Sequence, residues 1–138
     1  MAEDKAAVIA AKHSDALVIA SDTIVVIDNQ ILGKPVDRSA GFAMLRQLSG
    51  RTHDVYTAVT MRQGDKIFHE LATAKVIFYE LTDQEINRYL DTGDYADKAG
   101  AYGIQSLAGT FVQRIDGDYY SIVSFPIGVV QKMLNQFN

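Results

Sequence analysis

The sequence predicts a mixed α/β domain, one mixed sheet flanked by helices, over residues 1–138. Two patterns carry that expectation. Stretches with helical spacing are interleaved with stretches rich in β-branched residues. The β stretches also fall in hairpin pairs between helices, which argues against a doubly wound parallel sheet. Composition agrees: at 138 residues, 48% apolar and 22% charged, the chain can bury about two thirds of its unfolded surface around one core.

Ala2–His13 is rich in alanine and carries Val8 and Ile9, the composition of a helix. Ala16–Ala20 is a short apolar run and Thr23–Ile27 a β-branched one, with Ser21-Asp22-Thr23 interrupting the apolar pattern. Asp28-Asn29 reads as a hairpin turn into Ile31. Gly33-Lys34-Pro35 ends the extended piece. Asp37 or Ser39 then caps a helix to about Leu48, with Phe42, Leu45 and Leu48 along one side and Gly50 just past its end. Thr52–Met61 and Lys66–Tyr79 read as strands around Gln63-Gly64-Asp65, the second bulged or bent near Glu70. Thr82 and Glu85 form a capping box for a helix to Leu90 that stops before Gly93. Asp94–Gly109 has no period, and so long an aperiodic stretch in a small domain points to a functional loop. Phe111–Ile115 and Tyr119–Val123 read as a last hairpin about Asp116-Gly117, and Pro126 opens a closing helix to about Phe137.

Charge narrows the function. Thirteen basic residues against 17 acidic ones leave a net −4, which disfavours a nucleic-acid polymer as partner, because neutralising its backbone takes clustered Lys and Arg. A small anion needs only a few local cations or a metal. The absence of cysteine excludes disulfides, a thiolate zinc site and a cysteine nucleophile, and fits a cytoplasmic location. No apolar run reaches the ~20 residues of a membrane span. Glu3, Asp4 and Lys5 are unlike the basic start of a signal peptide, so no membrane partner is expected.

Three places could carry chemistry. Asp22 sits among apolar residues near a strand end; it is either a turn cap or lysine partner, or a magnesium ligand or water-orienting base. Lys34, between Gly33 and Pro35, is either a surface turn lysine or a point charge held for a phosphate oxygen. Asp97-Lys98 with Gly100, Gly103 and Gln105 is either a plain loop with a salt bridge or an anion-binding loop, whose Gln105 amide suits the edge of a nucleobase. His13, His53 and His69 lack metal-ligand spacing and read as structural, His13 near a helix C-terminus.

Taken in order, Ala20-Ser21-Asp22-Thr23-Ile24-Val25-Val26, Leu32-Gly33-Lys34-Pro35, Leu48-Ser49-Gly50-Arg51-Thr52-His53, Asp97 through Gln105, and Phe111 through Tyr119 resemble the Maf family of nucleotide pyrophosphatases. The resemblance implies a Maf/ITPase-like fold, elongated, with a cleft between two lobes. It implies hydrolysis of a nucleoside triphosphate between the α and β phosphates, aided by Mg²⁺ or Mn²⁺. One branch of the family acts on dTTP and UTP or modified pyrimidine triphosphates, the other on 7-methyl-GTP; Thr23 and Gln105 match the first. Carried over by position, Asp22 is the catalytic carboxylate and metal ligand, Lys34 the phosphate-binding lysine and Lys5 a second active-site lysine. Thr23, Gln105 and Lys98 bind substrate, with Asp97 bracing the loop.

Family members begin with a strand and a Ser-x-Ser-Pro-Arg-Arg loop that this sequence lacks. The expectation is therefore an N-terminally shortened domain with impaired turnover and an open sheet edge that a second copy can cover as a homodimer. Ser106 and Ser124 stand where the family usually has glycine, and Phe125 where it has leucine. The alternative function is a septum-formation or cell-division regulator that binds without cleaving.

Overall fold

A computed structural model describes residues 2–10 and 16–137. The elements are α1 (Ala2–Ala10), β1 (Val18–Ile27), β2 (Gln30–Leu32), α2 (Arg38–Leu48), β3 (Thr52–Gln63), β4 (Lys66–Phe78), α3 (Asp83–Leu90), β5 (Val112–Gly117), α4 (Tyr119–Ile122) and α5 (Ile127–Asn135), with 3₁₀ turns at Ala99–Ala101 and Leu107–Phe111. The strands form one sheet in the order β2-β1-β3-β4-β5, and each neighbouring pair is antiparallel. The class is the expected one, helices packed on a sheet, but the sheet expected to be mixed is antiparallel at every described pairing. β1–β2 and β3–β4 are hairpins, and the connection through α2 sets β3 beside β1 and not beside β2. Among the described residues no helix is long and apolar enough to cross a membrane.

Local signals account for most boundaries. Asp28 and Asn29 both take positive φ (52° and 60°), as a two-residue hairpin turn requires. Asp37 caps α2 by accepting from the Ala40 amide at 2.8 Å, and Gly50 follows that helix in the left-handed region. The Thr82–Glu85 capping box is formed in both directions. The helix expected over Ala2–His13 is present to Ala10; His13 lies outside the described residues.

Three further expectations are corrected. Ser21-Asp22-Thr23 does not break β1, because β3 pairs it without interruption from Val18 to Val26 and the ladder outweighs side-chain polarity. No bulge lies near Glu70: the β3–β4 register runs unbroken from Thr52↔Ile77 to Gln63↔Lys66, and the irregularity falls on the other side of β4, at Ile77/Phe78 against β5. Tyr119–Val123 is not a strand. Gly117, at φ 121°, approaches the Thr73 carbonyl so closely that a Cβ would stand 2.7 Å from it, and the Asp118 amide donates to that carbonyl at 3.2 Å. Asp118 then accepts from the Tyr120 amide at 2.9 Å, and the chain turns into the short helix α4.

The core divides in a way that positions the site. Val55, Thr57, Val59 and Met61 of β3 share one face, two residues apart. Val55 joins a cluster with Leu45 and Leu48 of α2 and Ile86 and Leu90 of α3. Val59 and Met61 pack instead on Val130 and Met133 of α5. Thr57 marks the seam between the two helical covers. The opposite face meets α1, where Ala6 packs on Val18 and Ala20.

Candidate active site

A cavity of about 550 Å³ opens beside this seam and takes in Asp22, Lys5, Lys34, Thr23, Lys98 and Gln105, the six residues singled out by sequence. Asp97 lines it too, as do Asp94, Tyr102 and Ser124, to which sequence reasoning gave no role. The outer edge of β1 explains how neighbouring side chains share one hollow. Alternate residues of a strand point to opposite faces, so a cavity touching both Asp22 and Thr23 must wrap around an edge. β2 pairs only with Val25–Ile27, leaving Val18–Ile24 with no outer strand partner among the described residues.

Asp22 has a lysine partner as well as a place in the cavity, so its two readings coexist. The Lys5 ammonium, from α1, lies 3.0 Å from Asp22 Oδ1 and donates to the Ser21 carbonyl at 3.1 Å. The pair is open to solvent, with side chains 54% and 22% exposed, so it orients the carboxylate more than it stabilises the fold.

Lys34 and Lys98 sit on segments that are tied together. The Gly100 amide donates to the Gly33 carbonyl at 3.1 Å. Gly100 itself has φ 70°, and a Cβ there would stand 3.1 Å from Val25 Cγ1, so both backbone shape and space require glycine. Lys98 pairs with Asp97 at 3.1 Å, and that hydrogen bond holds the Asp97 carboxyl below its ordinary range. The loop is braced from behind by Tyr89, whose hydroxyl accepts from the Gly103 amide at 3.2 Å. Ser106, at φ −107°, needs no glycine and donates from Oγ to the Gly103 carbonyl at 2.8 Å. Ser124 does take a left-handed φ of 73°, the conformation that favours glycine.

Tyr102 backs the cavity and connects it to the core. Its hydroxyl is 2.7 Å from His53 Nε2, and both rings meet Phe78 edge-on. His53 is 1% exposed, and burial lowers its pKa from 6.5 to about 4. It is the structural histidine the sequence implied, and what the sequence could not display is the partner, 49 positions further along the chain.

Sequence reasoning also missed a run of hydroxyls. Thr23 Oγ1 lies 2.8 Å from Thr57 Oγ1, which donates to the Ser121 carbonyl at 2.6 Å. Ser21 Oγ donates to the Ser124 carbonyl at 2.7 Å. Only the register Thr23↔Thr57 reveals the first contact, and no local motif encodes it.

Comparison with known proteins decides the ancestry of this arrangement. The family described as Maf-like protein matches residues 1–137. The chain belongs to the Maf-like family. Among curated relatives of this Maf-like chain is the dTTP/UTP pyrophosphatase of Bacillus velezensis, 44% identical over 138 residues, which are 100% of this chain and 73% of the relative. The proteins of the same name in Bacillus cytotoxicus and Bacillus anthracis are also 44% identical over 138 residues, 100% of this chain and 72% of each relative.

The chemistry of the donor set allows a divalent ion. Among the described residues no three His, Cys, Asp or Glu side chains come together as a ready-made metal cage. Mg²⁺ rarely uses one: it is usually held by one or two carboxylates, with phosphate oxygens and water completing its shell. Asp22 fits that pattern, since its Oδ2 has no hydrogen-bond partner among the described residues.

Proposed function

We propose that this chain hydrolyses dTTP and UTP, or modified pyrimidine triphosphates, to the monophosphate and pyrophosphate. The observation that carries the reading is one cavity shared by three carboxylates (Asp22, Asp94 and Asp97), three lysines and an amide. The names of the relatives favour a catalyst over the cell-division regulator. Lys34, Lys5 and Lys98 offset the repulsion a polyphosphate presents to an attacking water, the electrostatic work on which phosphoryl transfer chiefly depends. Asp22 orients that water or holds Mg²⁺ or Mn²⁺. The ion, when bound, supplies Lewis-acid polarisation of phosphate oxygens. Thr23 and Gln105 face the base.

No arginine lines the cavity among the described residues, so its side-chain cations for the phosphates are the lysines, which act as point charges rather than as a bidentate clamp. Acting in the cytoplasm, it would clear unwanted pyrimidine nucleotides from the pool. Incubation with dTTP, UTP and 7-methyl-GTP in the presence of Mg²⁺ tests the reading. Pyrophosphate with TMP or UMP is expected. Release of inorganic phosphate alone, or preference for 7-methyl-GTP, overturns it.

A homodimer formed by pairing along the open half of β1 would cover the edge that the cavity wraps around, so dimerisation and nucleotide binding compete for that edge. Sedimentation equilibrium checks this: dimers are expected at micromolar concentration, and monomers throughout would remove the proposal.

A further inference from the structure

The hydroxyls on β1 have a fixed polarity. A backbone carbonyl can only accept, so Thr57 must spend its single O–H on the Ser121 carbonyl 2.6 Å away. Its oxygen, 2.8 Å from Thr23 Oγ1, must then accept the Thr23 hydroxyl hydrogen. Thr57 and Ser121 are both 0% exposed, so water does not compete for these bonds. Thr23, which lines the cavity, is therefore left with only lone pairs to offer a ligand from its hydroxyl. Ser21, two positions back on the same face, is in the same state, because its hydrogen goes to the Ser124 carbonyl at 2.7 Å.

This wall repels phosphate oxygens, which are acceptors, and leaves them to the lysines. It attracts a hydrogen-bond donor. Uracil and thymine carry one at N3–H; cytosine has an unprotonated N3 at that place. We propose that Thr23 selects the uracil and thymine ring by accepting its imide N3–H, and that Thr57 is the positioning residue that holds Thr23 as an acceptor. The assignment rests on the dTTP/UTP reading and adds the atom that is read and the relay that enforces it. A sugar hydroxyl is the other donor a nucleotide could offer; dUTP removes the 2′-hydroxyl alone, and N3-methyl-UTP removes the imide hydrogen while keeping both sugar hydroxyls, so the two probes together separate the cases.

Calorimetric binding of UTP, dUTP, CTP and N3-methyl-UTP with Mg²⁺, run beside a pyrophosphate-release assay, tests this. The parent chain should bind UTP and dUTP alike and prefer both to CTP and N3-methyl-UTP by about 10-fold or more. Thr57→Val should bring the UTP:CTP ratio to within about 3-fold, chiefly through KM where turnover is measured, while Thr57→Ser retains the preference. Should Thr57→Val unfold, Thr23→Val against Thr23→Ser gives the same contrast with the relay's buried end left in place. A UTP:CTP ratio unmoved by either valine variant overturns the proposal, as does failure to bind UTP. A loss confined to dUTP reassigns the donor to the 2′-hydroxyl and overturns the imide assignment. Binding preference without hydrolysis supports the base reading and overturns the pyrophosphatase reading alone.

Discussion

Asp22→Asn is expected to lower kcat for UTP hydrolysis by about 10²- to 10⁴-fold and to leave the fold intact. The amide has nearly the shape of the carboxylate, and its oxygen can still accept from Lys5, which stands 3.0 Å from Oδ1. What it loses is the negative charge, and with it the capacity to hold a divalent ion or to take a proton from water. The Lys5–Asp22 pair is open to solvent, so its loss changes stability by less than about 1 kcal/mol. Steady-state pyrophosphate release, paired with thermal denaturation, separates the two effects. Retention of kcat would transfer the catalytic role to another carboxylate of the same cavity, Asp94 or Asp97.

The second large effect is acid destabilisation through His53. Burial is the main cause of its lowered pKa, and the nearby Asp54 charge opposes it weakly. An unfolded chain takes up a proton on this ring near pH 6.5, whereas the folded chain refuses it until about pH 4. The stabilisation is therefore complete above 6.5 and is lost as pH falls through that window. The gap corresponds to roughly 3 kcal/mol at most. Asp28, Glu85 and Asp97 are also held below their ordinary carboxylate range, by the Arg51 hydrogen bond, the Thr82 amide and Lys98 respectively. Their contributions fall away only at lower pH, below the unfolded carboxylate values. Urea denaturation across the histidine window should show the decline in the parent chain and a flatter profile in His53→Leu, whatever stability that variant has at neutral pH. Equal slopes in both chains would remove His53 as the cause.

The parts of this molecule legible in the sequence are those encoded within a few residues. The Asp28-Asn29 turn, the Asp37 cap and the Thr82–Glu85 box each carry their own geometry. The tripeptide around Lys34 and the loop through Lys98 and Gln105 are equally local, and together with the family resemblance they point to every charged residue of the cavity except Asp94. What could not be read depends on pairing at a distance. β1 looks broken at Asp22 until β3 lies beside it, and Thr57 looks like any strand threonine until register sets it opposite Thr23. Tyr119–Val123 has the composition of a strand, yet Asp118 and the contact of Gly117 with β4 turn it into a helix.

The bond from the Gly100 amide to the Gly33 carbonyl acts as a crossbar between two otherwise separate loops. Lys34 and Lys98 ride on that shared frame. An anion gripped by one ammonium stiffens the support of the other, so freedom of movement is surrendered once and not twice. On the proposed reading, the two charges are the jaws of a single clamp.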